Sequence, residues 1–247
     1  MSITEKSNKF AVKSHESFYN VDVIIPAYLP SLHYLQLLRR ALSSLEVQTY
    51  TDFGISLVLN GSFCSADEIL SSLQSYKYFD RITLYDMGRK ASGAAARNYG
   101  IIRSTSKYIA QLDADDMYMP EKLEKQVEYM DTHSECDFLG TCLMVNSRDG
   151  QINEEEYDRP EYHKDIAKVI ERENAMACGS IIFRNDVFCR FGVLYTEAYK
   201  PGMIWPSYGR NMHEDWDLWI RLIKAGAKTH NLQEKLYVWS EGTSVAR

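Results

Sequence analysis

Short apolar runs alternate with amphipathic stretches through the first half of the chain. The run VDVIIPAY (residues 21–28) is short and mostly apolar, and predicts a buried strand. FGISLVLNGS (53–62), DRITLYDM (80–87) and KYIAQLDAD (107–115) predict three more. Between the first two, Leu32, Leu35, Leu38, Leu42 and Leu45 recur at helical spacing behind Ser31, a residue suited to capping a helix start. SADEILSSLQSY (65–76) predicts a short amphipathic helix, and the Ala-rich KASGAAARNYGIIRS (90–104) a helix with a small, closely packing face. PEKLEKQVEYMDTH (120–133) predicts a helix with Pro120 in its first turn and Glu121 at its positive end. Strand–helix alternation of this kind calls for a parallel sheet with helices on both faces, and apolar strands fit burial on both sides.

The second half is mixed. DFLGTCLMVNSRDGQI (137–152) predicts a strand and a turn, NEEEYDRPEY (153–162) an acidic surface loop, and HKDIAKVIEREN (163–174) a short helix. CGSIIFRNDVFCRFG (178–192) predicts a strand followed by a short helix. In EDWDLWIRLIKAG (214–226), Trp216, Trp219, Ile220 and Ile223 share one helical face and Gly226 is the stop. NLQEKLYVWS (231–240) predicts a closing strand. There is no internal repeat. The expected organisation is an N-terminal arm over 1–20, read as flexible, and one α/β domain over 21–247, with a nucleotide-type half at 21–133 and an acceptor-side half at 134–247.

Composition narrows the function classes. The 247 residues carry 28 basic and 34 acidic side chains, a net charge of −6. That argues against a nucleic-acid binder held by phosphate contacts. A phosphate-bearing small ligand remains compatible, because a bound metal reverses the local field. No apolar run reaches the roughly 18 residues of a spanning helix, and residues 1–20 lack the apolar core of a signal peptide. The expectation is a cytoplasmic protein with room for peripheral contact at the inner face of a membrane. Five cysteines without a C-x-x-C pair read as free thiols.

Ligands of an open parallel sheet bind beyond the carboxyl ends of its strands. Three predicted strands end in polar or turn-forming residues: Pro26, Ala27 and Tyr28; Asn60, Gly61 and Ser62; and Asp113, Asp115 and Asp116. Asp115 or Asp116 can cap the helix near Pro120. A cap explains one carboxylate, and the others repel unless a positive charge lies near. A divalent ion beside a diphosphate supplies that charge, since Mg2+ or Mn2+ is typically held by one or two carboxylates plus phosphates. Glu214 and Asp215 open a helix. They suit either the helix dipole or a general base, with Asp217 facing elsewhere. Arg97 and Asn98 read equally as structural hydrogen-bonders or as ligand contacts. Arg89 and Lys90 are placed to face a phosphate, and Trp216 is either core or a sugar platform.

The ordered set VDVIIPAY, VLNGS, ASGAAARNYGI, YIAQLDADDMYMPEKLEKQ, CGSIIFR and EDWDLWIRLIKAG resembles family 2 glycosyltransferases of the GT-A fold, from about residue 21 to the C-terminus. The resemblance implies an inverting transfer from a nucleoside-diphosphate sugar, with Mn2+ or Mg2+, to a hydroxyl of a glycan or lipid-linked acceptor in polysaccharide or cell-surface glycan synthesis. It implies that Pro26, Ala27, Tyr28, Asn60, Arg97 and Asp113 bind the donor, that Asp115 holds the metal and that Asp215 is the catalytic base. Glu214 and Trp216 fall on the acceptor side, and Asp116 is left to start the following helix. Three departures stand out: Leu29 where the family often has Asn, Leu59-Asn60 where it often has Asp-Asp, and YVWSEGTSVAR at the end, with no His. A non-catalytic nucleotide-sugar binder is the alternative reading. A metal-dependent nucleotidyltransferase is a weaker one, since PAYLPSLHYL offers no Gly-rich phosphate loop.

Overall fold

The computed structural model describes residues 19–148, 150–154, 159–197, 204–205, 210–211 and 213–243. Residues 1–18 of the expected arm lie outside that set. Its last two residues are docked: the Asn20 amide donates to the Tyr50 hydroxyl at 2.7 Å, and the Tyr19 ring lies against Gly54.

The elements follow the predicted alternation. They run β1 (Val21–Leu29), α1 (Leu32–Glu46), β2 (Phe53–Ser62), α2 (Ala66–Ser72), β3 (Ile82–Asp86), α3 (Gly93–Arg103), β4 (Tyr108–Gln111), β5 (Met117–Tyr118) and α4 (Lys122–Thr132). The second half adds β6 (Phe138–Asn146), β7 (Ile152–Glu154), α5 (His163–Val169), β8 (Ile182–Arg184), α6 (Val187–Phe191), a two-residue pair β9 (Ile204–Trp205) and β10 (Arg210–Asn211), α7 (Glu214–Ala225) and β11 (Thr229–Ser240). One sheet runs β3-β2-β1-β4-β8-β6-β11-β5, with β7 beside β6. Strands β1 to β4 are mutually parallel, β6 is parallel to β11, and β8, β7 and β5 run the other way. The fold is mixed α/β around a mostly parallel sheet, as the periodicity implied.

Side-chain alternation along β1 builds two cores. Val21, Val23, Ile25, Ala27 and Leu29 pack with leucines of α1, Ile69 of α2, and Leu123 and Val127 of α4. Ile24 points the other way and joins Ala94 and Ala96 of α3 and Leu218, Trp219 and Leu222 of α7. The small face of α3 is used as expected, because a Cβ on Gly100 would sit 2.8 Å from Ile24. Ser31 stands at the start of α1 but makes no side-chain cap bond. Among the described residues no helix is long and apolar enough to cross a membrane.

Candidate active site

The carboxyl ends of β1, β2 and β3 frame an open cleft of about 540 Å³. Tyr28, Gly61, Asp86, Arg89 and Lys90 line it. The Lys90 ammonium sits 4.6 Å from the centre of the Tyr28 ring. Gly61, at φ +129°, lets the chain pass so close that a Cβ there would lie 2.9 Å from the same ring. Pro26 and Ala27 are buried inside β1, so Tyr28 is the side chain of that trio that reaches the cleft.

Asn60 is buried at the end of β2 and fastens the loop that carries Lys90. Its carbonyl accepts from the Ala91 amide at 3.0 Å, and its side-chain amide donates to the Ala91 carbonyl at 2.8 Å. Its Oδ1 has no partner among the described residues. One amide N–H is committed to Ala91, and the unpartnered Oδ1 gives the side chain an acceptor where an ionised Asp would have one, without its charge.

Arg97, only 3% exposed on α3, joins two carboxylates far apart in sequence. One terminal nitrogen meets Asp113, past the end of β4, at 2.5 Å, and the other meets Glu214, the first residue of α7, at 3.0 Å. The fork of a guanidinium suits such a bridge. Burial lowers the Arg97 pKa, but Cys178, Asp113 and Glu214 around it outweigh this and hold it well above the ordinary value. The Tyr195 ring lies beneath the guanidinium, and its hydroxyl is 3.5 Å from Cys178 Sγ. Asn98 is structural: its amide donates to the Tyr195 carbonyl at 2.9 Å.

The three acids that open α7 separate by partner. Glu214 is taken by Arg97. Asp217 is held by Arg221 at 2.7 Å and by the Thr196 hydroxyl at 2.9 Å. Asp215 accepts from Asn174 at 3.1 Å and from the Trp216 amide at 2.8 Å. Burial, reinforced by Glu214, raises the Asp215 pKa, while His213 and the two hydrogen bonds pull it down. Trp216 is pinned to the end of α5 by an indole N–H bond to the Ile170 carbonyl at 2.5 Å.

The acidic turn after β4 corrects one expectation. Helix α4 starts at Lys122 with Glu121 at its N-cap, so Asp116 does not start it. Asp116 is 2% exposed and turned inward, accepting from the Tyr237 hydroxyl and, at 2.7 Å, from the Ser240 amide. Burial, with Asp115 and Asp113 adding to it, pushes its pKa well above the usual carboxylate range. Asp115 accepts from the Thr243 hydroxyl at 2.7 Å, and its carbonyl from Arg40 at 2.6 Å. His230 lies at the start of β11, stacked on Tyr129.

Among the described residues no three His, Cys, Asp or Glu side chains form a ready-made metal cage. Asp115 on its own still matches the way Mg2+ and Mn2+ are held, by one or two carboxylates completed by phosphates and water. Asn174, Arg40, Tyr195 and Thr243 were not marked by any sequence pattern. Each is a single polar or aromatic residue outside a recurring spacing, found only through its partner in space.

Comparison with known proteins bears on this arrangement. A profile described as glycosyl transferase family 2 matches residues 22–191. An O-antigen biosynthesis glycosyltransferase of Escherichia coli, WbnJ, is 29% identical over 185 residues, 74% of this chain and 65% of that protein. The crystal structure of S. aureus TarS 1-349 in complex with UDP-GlcNAc superposes with a TM-score of 0.70 at 16% identity, covering 92% of this chain and 60% of that one. A mannosyltransferase from Pyrobaculum calidifontis, in complex with GDP-Man and Mn2+, gives a TM-score of 0.62 at 14% identity, covering 90% and 57%. The chain thus spans about two thirds or less of the length of these three proteins.

Proposed function

The chain belongs to glycosyl transferase family 2 and has the GT-A fold, and from that footing we propose that it moves a sugar, with inversion, from a nucleoside-diphosphate sugar to a hydroxyl of a glycan or lipid-linked acceptor. The observation that carries the reading is Asp215. Of the acids opening α7, Glu214 and Asp217 are paired with arginines, while Asp215 accepts hydrogen bonds from Asn174 and the Trp216 amide and stands next to Glu214 of the Arg97 joint. Its raised pKa brings it nearer the working range of a general base.

Donor binding falls to the cleft and the joint. Tyr28 offers its ring to the base, Asn60 Oδ1 accepts from a base N–H, and Lys90 and Arg89 bring positive charge for the diphosphate. Asp113, fixed by Arg97, faces the ribose or the sugar. The Asp215 carboxylate takes the proton of the acceptor hydroxyl as that oxygen bonds to the anomeric carbon. The bond to the diphosphate breaks on the opposite face, and the nucleoside diphosphate leaves with the electron pair. Mn2+ or Mg2+ bound at Asp115 would supply charge neutralisation for that leaving group. The O-antigen biosynthesis named for the Escherichia coli relative supports cell-surface or polysaccharide glycan synthesis as the setting.

The test is transfer from a panel of nucleotide sugars by wild type, Asp215→Asn and Asp115→Ala. Loss of a general base typically costs about 10²–10⁴ in rate, and that drop is expected for Asp215→Asn with donor binding retained. Full activity in both variants overturns the assignment. A wild type that binds donor yet never turns over would make the chain a non-catalytic relative.

A further inference from the structure

Two contacts reach the acidic turn from a segment with no assigned part in the reaction, and Arg40 of α1 adds a third. At the end of β11, Ser240 is fixed twice: its amide donates to Asp116 at 2.7 Å, and its hydroxyl accepts from Arg40 of α1 at 2.7 Å. The same Arg40 nitrogen holds the Asp115 carbonyl at 2.6 Å. Beyond it, the Glu241 amide is tied to the Asn146 carbonyl at 2.9 Å, and Gly242, at φ +74°, turns the chain back. That conformation suits glycine and few other residues. The turn delivers Thr243 onto Asp115, hydroxyl to Oδ2 at 2.7 Å.

We propose that Thr243 is a positioning residue for the donor site: its hydroxyl aims the Asp115 carboxylate, and Arg40 and Ser240 hold the strap that carries it. The inference rests on the role given to Asp115 above. Loss of a partner that orients a ligating side chain typically costs a metal site about 10–100-fold in affinity or activity. The geometry adds a means of release, because Thr243 Oγ1 also lies 2.9 Å from the Ser240 carbonyl. One proton has two acceptors within reach. Asp115 can turn towards a cation without stranding the hydroxyl.

The experiment compares the wild-type 247-residue chain, Thr243→Val and Thr243→Ser by calorimetric titration of UDP and GDP, each with and without Mn2+. Thermal unfolding without ligand is recorded alongside. Thr243→Val should weaken Mn2+-dependent nucleotide binding about tenfold with the ligand-free midpoint unchanged, and should raise KM for the donor more than it lowers kcat. Thr243→Ser, which keeps the hydroxyl, should stay within about twofold of wild type. Binding by Thr243→Val that matches wild type overturns the proposal while leaving the donor site intact. A wild type that binds neither nucleotide with Mn2+ overturns the donor site itself, and this inference with it.

Discussion

Replacing Arg97 with Met isolates what the central bridge contributes. The variant keeps most of the aliphatic volume and removes the charge between Asp113 and Glu214. Breaking a buried ion pair from one side typically costs 3–5 kcal/mol, because the remaining charge is left uncompensated. Here two carboxylates lose the Arg97 contact. Glu214, 10% exposed, is the less hydrated of the two, while Asp113, 22% exposed, is partly relieved by water. A net loss of about 4 kcal/mol is therefore expected at neutral pH. For a chain of this length that is about 8–16 °C in the unfolding midpoint, at roughly 2–4 °C per kcal/mol.

A conservative variant makes the test specific. Thermal unfolding of wild type and Arg97→Met at neutral pH should show that gap. Arg97→Lys should recover part of it, since a single ammonium cannot span both acids as a fork does. A gap under about 1 kcal/mol, or one that Arg97→Lys leaves unchanged, refutes the view of Arg97 as the charge that joins the two halves of the site.

Two further variants probe the same edge. Asn174→Ala removes one of the hydrogen bonds that lower the Asp215 pKa, so the acidic limb of kcat/KM should move to higher pH, and a limb that stays put argues against Asp215 as the base. Gly179→Ala would set a Cβ 2.1 Å from the hydroxyl of Tyr237, which is 1% exposed and bonded to Asp116. Overpacking of that kind costs about 1–3 kcal/mol, and an unchanged unfolding midpoint would show that Tyr237 yields freely.

Much of the fold was legible because its signals are periodic. The leucines of α1 and the unbroken apolar runs of β1 and β2 report burial through spacing alone, and strand–helix alternation then dictates parallel pairing. The carboxyl-edge rule brought Tyr28, Asn60 and Asp113 to one side of the sheet before any coordinate was known. Contacts that close over long separations were not legible. Arg97 meets an acid 117 positions away, and Asp116 an amide 124 positions away. No local pattern distinguishes Asp116, buried against β11, from an Asp that caps a helix. The difference is made by Tyr237 and Ser240, which arrive at the end of the chain.

Those late contacts also change the electrostatic reason for a cation. Read in sequence, Asp113, Asp115 and Asp116 are three adjacent negative charges that need a metal to coexist. In space the repulsion is largely removed without one. Arg97 compensates Asp113, and burial favours the neutral form of Asp116. The third, Asp115, accepts from the Thr243 hydroxyl at 2.7 Å. A lone aspartate is a weak site for Mg2+ or Mn2+ until phosphates complete the coordination. The expected behaviour is therefore ordered: little metal affinity in the ligand-free protein, and metal recruited together with the nucleoside diphosphate. A metal held at Asp115 in that way would supply charge neutralisation only with the diphosphate present, and tight Mn2+ binding in a titration without nucleotide would refute it.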